Sequence, residues 1–276
     1  MLGVTQPRPR YWSCHNPGQR DTILCEEEPM ADQALGAACY VGTSGWVYPH
    51  WRGVFYPWHL PGAQWLQHYA ARFDTVELNS SFYRMPSESA FRKWKEDVPA
   101  GFTYAVKASR YITHMKKLGG VEEALSGFLE RSRLLGDRLG PVLYQLPPFW
   151  TCNLDRLSAF LGLLPRNLRH VFEFRHASWL NETVFSLLEA HGAALCIVSL
   201  PDFPCLLRAT APFVYIRLHG AEAKYASCYS EPQLEWWAEQ ILGFLQDGKD
   251  VYAYFNNDAC GYAVQNALCL RELLKR

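Results

Sequence analysis

From Cys39 onward eight short apolar or β-branched runs alternate with seven helical patterns. The runs cover 39–43, 75–78, 103–106, 142–145, 171–174, 194–198, 213–218 and 251–255. Most lack the apolar–polar alternation of a half-solvated sheet, so they read as strands buried on both faces. Helical patterns occupy 64–73, 87–98, 122–139, 154–164, 183–191, 231–245 and 262–274. Ser87 reads as an N-cap, with Phe91 and Trp94 on one face of the helix it opens. Between the sixth and seventh runs stand Pro201, Pro204 and Pro212, which predict a short helix there or none. The alternation predicts an α/β fold, a (β/α)8 TIM barrel in a single domain, with a doubly wound open sheet as the alternative.

The chain has 276 residues, of which 49% are hydrophobic and 20% charged, enough apolar surface to exclude a disordered chain. Lys+Arg and Asp+Glu both number 27, which disfavours a globally basic nucleic-acid binder but leaves room for a local basic patch. The longest apolar stretch, 183–200, is broken by Glu189, His191 and Gly192, so no membrane partner is expected. The nine cysteines show no C-x-x-C spacing and mostly sit in apolar context. They read as core thiols of a cytoplasmic protein. No nicotinamide, P-loop or zinc fingerprint is present, and no cofactor is expected.

Residues 1–36 differ from the rest. Four prolines punctuate them, no apolar period appears, and three arginines face five acids. The expectation is a disordered N-terminal extension, or a tail outside the true product if translation starts at Met30. The barrel domain then spans 38–276.

A TIM barrel carries its site where the strands end, and here the apolar runs end in polar residues. Three i, i+2 pairs stand out: Glu77/Asn79, Glu173/Arg175 and Arg217/His219. Period-two geometry places each pair on one face and turns Val76, Leu78, Phe172, Phe174, Ile216 and Leu218 toward the helices. Six polar side chains should therefore enter the barrel mouth, with Lys107, Gln145, Asn256 and Asn257 at other strand ends and Arg110, His114 and His176 in the loops. Such a mouth reads as cationic and suited to phosphate or carboxylate. The competing reading is a structural plug, in which Glu173 pairs with Arg175 and Glu77 with Lys107. Among the dense aromatics after the first strand, Trp46 is the candidate for stacking on a ligand.

The motifs, taken in order, resemble the YecE-like family, also known as domain of unknown function 72. They are Gly42-Thr43-Ser44-Gly45-Trp46; 73–79 with Phe82-Tyr83; 106–110 with Thr113-His114; 140–148; 172–176 with Ser178-Trp179; 217–220; and 254–258. The likeness covers about 38–274 and implies a TIM barrel, with no established activity attached. Ala177 stands where the family pattern implies proline, and the loop 200–211 departs from it.

The leading functional expectation is an enzyme acting on a phosphorylated or otherwise anionic small molecule. Glu77 and Glu173 would be general acid and base, with His219 a proton shuttle. Lys107, Arg110, Arg175 and Arg217 would hold the anion, and Lys107 has a second role as a Schiff-base amine. Trp46, Asn79, His114, Gln145, His176, Asn256 and Asn257 complete the binding set. A divalent ion on Glu77, Glu173 and His219 stays open as a variant. The alternatives are nucleic-acid binding or phosphodiester cleavage, glycoside chemistry on the two glutamates, and a non-catalytic sensor.

Overall fold

The computed structural model describes residues 36–223 and 225–275. Eight strands run in chain order: β1 (Cys39–Thr43), β2 (Thr75–Leu78), β3 (Thr103–Lys107), β4 (Leu139–Gln145), β5 (His170–Glu173), β6 (Ala194–Ser199), β7 (Phe213–Leu218) and β8 (Asp250–Phe255). Every paired neighbour is parallel, in the order β1-β8-β7-β6-β5-β4-β3-β2. Helices separate most of them, and the chain is a (β/α)8 TIM barrel.

The seam lies between β1 and β2. Tyr69, on helix α1 (Trp65–Ala70), fills it with one hydroxyl. That hydroxyl accepts from the Thr43 amide at 2.9 Å and donates to the Thr75 carbonyl at 3.1 Å, satisfying groups that a strand ladder would otherwise pair. Gly42 is needed at the same place, because a Cβ there would overlap the Thr75 carbonyl oxygen.

Sequence and structure differ most in two elements. β4 starts at Leu139, ahead of the expected residue 142, because Gly140-Pro141, which reads as a breaker, lies inside the strand. Gly140 packs on Thr103 and Tyr104, where a Cβ would not fit. The long helix expected over 122–139 ends at Ser132 and continues as 3-10 turns over Arg133–Arg138, interrupted by Gly136 at φ +57°. Ser87 caps its helix as expected, accepting from the Ala90 amide at 3.2 Å. Among the described residues, no helix occupies the proline-rich link between β6 and β7.

Strand periodicity sorts side chains into two buried layers. Val76, Leu78, Phe172, Phe174, Ile216 and Leu218 pack outward in the core shared with the helices. A second cluster, including Leu143, Val171, Cys196, Phe213, Tyr215, Tyr252 and Tyr254, fills the lumen. No helix among the described residues is long and apolar enough to cross a membrane. The expectation for the N-terminal extension, apart from its last residue Gly36, lies outside the described residues.

Candidate active site

The three i, i+2 pairs meet at the C-terminal end of the barrel. Arg217, 1% exposed, bridges both glutamates: Nη2 donates to Glu77 Oε1 at 2.7 Å and Nη1 to Glu173 Oε2 at 2.5 Å. Arg175 donates through Nε to Glu173 Oε1. Glu77 also accepts from Ser44 Oγ at 2.7 Å, from Asn79 Nδ2 at 3.1 Å and, on Oε2, from the Tyr215 hydroxyl at 2.7 Å. Both carboxylates are fully buried. Glu77 pairs with Arg217 rather than with Lys107, the partner the plug reading gives it, because Arg217 reaches across the lumen from β7.

Burial alone pushes both carboxyl pKa values up. Arg217 and Lys107 outweigh it at Glu77, and Arg175 and Arg217 outweigh it at Glu173, so both lie below the usual carboxylate range. The expected division into a protonated acid and an ionised base is therefore corrected: both glutamates are held ionised. The expected cationic character shrinks for the same reason, since two buried carboxylates balance two buried guanidiniums.

His219 departs from its expected role as a shuttle near neutral pH. Arg175 Nη2 lies 2.8 Å from His219 Nε2, and a guanidinium only donates, so Nε2 accepts. The ring proton of the neutral imidazole then sits on Nδ1, which requires the Asn256 amide, 3.2 Å away, to turn its oxygen rather than Nδ2 toward the ring. Burial first, then Arg217, hold the histidine pKa well below its ordinary value. The ring is a fixed link in the network.

A cleft of about 470 Å³ opens above this floor, lined by Tyr48, Asn79, Phe82, Tyr83, Lys107, His114, Gln145, Arg217, Tyr225 and Asn256. Lys107, at the end of β3, is 9% exposed, with Nζ 4.2 Å from the centre of the Phe82 ring. Its ammonium forms none of the described hydrogen bonds or ion pairs. Burial and then Arg217 push its pKa down to about 8, with Glu173 and Glu77 opposing. His114, carried on the single π turn Tyr111–Met115, is pushed down to about 4 by burial, Lys107 and Arg110.

Glu77, Glu173, Arg175 and His219 form the network beneath the cleft, and four further expected members belong to neither the network nor the cleft lining. Trp46 is 8% exposed and packs edge-on against Trp94, with ring centres 5.7 Å apart, inside the outer core. Arg110 is exposed on the rim. His176 caps the turn Ala177–Trp179, its Nδ1 accepting from the Ser178 amide at 3.2 Å. Asn257 is buried and donates to the Ser227 carbonyl and to Asn266 Oδ1, both at 2.9 Å. Sequence reasoning missed Tyr215, which shares its strand face with Arg217 and His219. Extending the period-two count by one step finds it. Among the described residues no group of His, Cys, Asp and Glu is arranged to hold a metal. The glutamate oxygens are taken by arginine, serine, tyrosine and asparagine donors, so the donor set does not fit a divalent ion.

Residues 40–276 match the family described as a protein of unknown function, DUF72. The UPF0759 protein YunF of Bacillus subtilis is 28% identical over 269 residues, covering 85% of this chain and 94% of YunF. The UPF0759 protein YecE of Escherichia coli K12 is 30% identical over 138 residues, 50% of this chain and 48% of YecE. A crystal structure of a DUF72 family protein from Thermotoga maritima superposes with a TM-score of 0.78 at 32% identity, over 87% of this chain and all of that one. Family match and shared barrel agree: the chain belongs to the DUF72 family.

Proposed function

We propose that the barrel mouth is the active site of an enzyme that binds an anionic small molecule and moves a proton through Lys107. One observation carries this reading: Lys107 is a buried ammonium that faces a cleft and, among the described residues, forms no hydrogen bond or ion pair beside its contact with the Phe82 ring. Burying a charge is costly, and an uncompensated one marks the place of a ligand of opposite charge. A phosphate or carboxylate at that point would accept its donors. At a pKa of about 8 the amine exchanges its proton near physiological pH, as a general base or acid requires. Glu77 and Glu173 hold the two arginines in place, and His114 stays neutral beside the amine.

Glycoside chemistry needs a protonated carboxyl to release the leaving group. Two carboxylates held ionised by arginine do not supply one. The proposed setting is the cytoplasm, where a lumen thiol such as Cys196 stays reduced.

The test is thermal shift of the protein against phosphorylated and carboxylated metabolites. A ligand for the native state raises the melting temperature by mass action, and the rise should vanish in Lys107→Met. A shift that survives Lys107→Met unchanged would place the anion elsewhere and end this reading.

A further inference from the structure

Beyond proton transfer, the surroundings of Lys107 suit covalent chemistry. Its aliphatic stem emerges from the end of a buried strand, and its Nζ lies 4.2 Å from the centre of the Phe82 ring, a cation–π contact. The side chains that an ammonium would normally pair with are engaged: Glu77 accepts from four donors, and both Glu173 oxygens accept from arginine. The nitrogen is therefore left facing the cleft beside two buried guanidiniums, an arrangement that favours a neutral, nucleophilic amine. Asn79, Gln145 and Tyr48 line the same cleft and offer polar atoms around the reacting centre.

We infer that Lys107 forms an imine with a small aldehyde or ketone that carries an acid group. The neutral amine attacks the carbonyl carbon, and a C–N bond forms as the C=O π pair moves to oxygen. The nitrogen loses a proton and the oxygen gains one; a second proton, taken up from solvent in the cleft, lets the carbinolamine hydroxyl leave as water while the nitrogen lone pair forms the protonated C=N bond. One water is released, and no oxidant or reductant is consumed. This inference rests on the anion-binding reading for its acid group and on Lys107 alone for its carbonyl.

With the amine at about 8 rather than the ordinary 10.5, its neutral fraction at pH 7 is roughly 300-fold larger than that of an ordinary lysine. The probe is glyoxylate, the smallest aldehyde bearing a carboxylate, incubated with the folded full-length chain at pH 7 and cyanoborohydride. Peptide mapping then locates carboxymethyl-lysine. The expected result is modification of Lys107 at least about tenfold faster than of Lys93 and Lys95, which lie in surface ion pairs, with the preference lost in urea. Labelling spread evenly over the lysines overturns the inference. So does protection by phosphate in the thermal-shift assay combined with an unlabelled Lys107, an outcome that leaves the anion reading standing. Preferential labelling of Lys107 by neutral glycolaldehyde as readily as by glyoxylate keeps the imine and removes the acid group, so the anion reading falls instead. The mapping is done on the wild-type chain, so no variant has to fold.

Discussion

The two ends of the barrel use the same chemistry under opposite conditions. At the N-terminal end, Arg169 pairs with Asp250 at 2.6 Å and packs over the rings of Phe213 and Tyr252. The side chains of that pair are 42% and 24% exposed. At the C-terminal end, Arg217, Glu77 and Glu173 form a similar contact with side chains 1%, 0% and 0% exposed. Each end also has a cleft: about 330 Å³ beside Leu164, Arg169, His170 and Phe213, and about 470 Å³ above the buried network. Only the second has a buried ammonium on its wall. An ion pair in water can be lost cheaply, whereas one in the lumen binds its neighbours into a unit in which no member is dispensable.

The harshest way to break the contrast is Arg217→Met. It strips both glutamates of the guanidinium they share and leaves buried negative charge. The expected loss is about 3–5 kcal/mol, read as a lower urea midpoint. Both carboxyls have depressed pKa values, so the stability they give wild type is present above the ordinary carboxylate range and is lost on acidification below it. The variant should show a smaller acid-side loss, since Arg175 still lowers the Glu173 pKa. An unchanged midpoint would mean that the network contributes nothing to folding.

Lys107 sharpens the comparison in the other direction. Its folded pKa of about 8 lies below the ordinary 10.5, so between those values the unfolded chain binds more protons and stability rises with pH. Below pH 8 the buried charge costs on the order of 3 kcal/mol, which Lys107→Met removes. The variant is expected to be the more stable at pH 7, with the gap closing toward pH 9.5. Taking the difference between the two proteins cancels the contributions of buried thiols and phenols. A gap constant across that window would refute the lowered pKa.

How legible was this from sequence? All eight strands show as apolar runs because both of their faces are buried. Glu77, Glu173, Arg175, Arg217 and His219 show because period two is local. What each does is decided across the lumen: Arg217 meets Glu77 from 140 positions away, and no spacing rule reports that. Hence local spacing suggests an acid and a base where both glutamates are ionised, and a shuttle where the histidine is locked. Trp46, His176 and Asn257 lie in loops, where a residue's direction depends on turns that periodicity does not describe. Tyr215 went unseen because a tyrosine in an apolar strand looks like packing.

That tyrosine gives the mildest and best-matched test. Tyr215 and Tyr252 are register partners on β7 and β8, with ring centres 6.5 Å apart. One hydroxyl donates to the buried Glu77 at 2.7 Å; the other accepts from the half-exposed Arg169. Each Tyr→Phe change deletes one oxygen and keeps the ring. Tyr215→Phe leaves a buried carboxylate oxygen short of its donor and should cost about 1.5–3 kcal/mol. Tyr252→Phe leaves Arg169 with Asp250 and solvent, and should cost under about 1 kcal/mol. Paired urea titrations read both. Equal losses would show that burial of the partner does not set the value of the hydrogen bond, and the distinction between the two ends would fail with it.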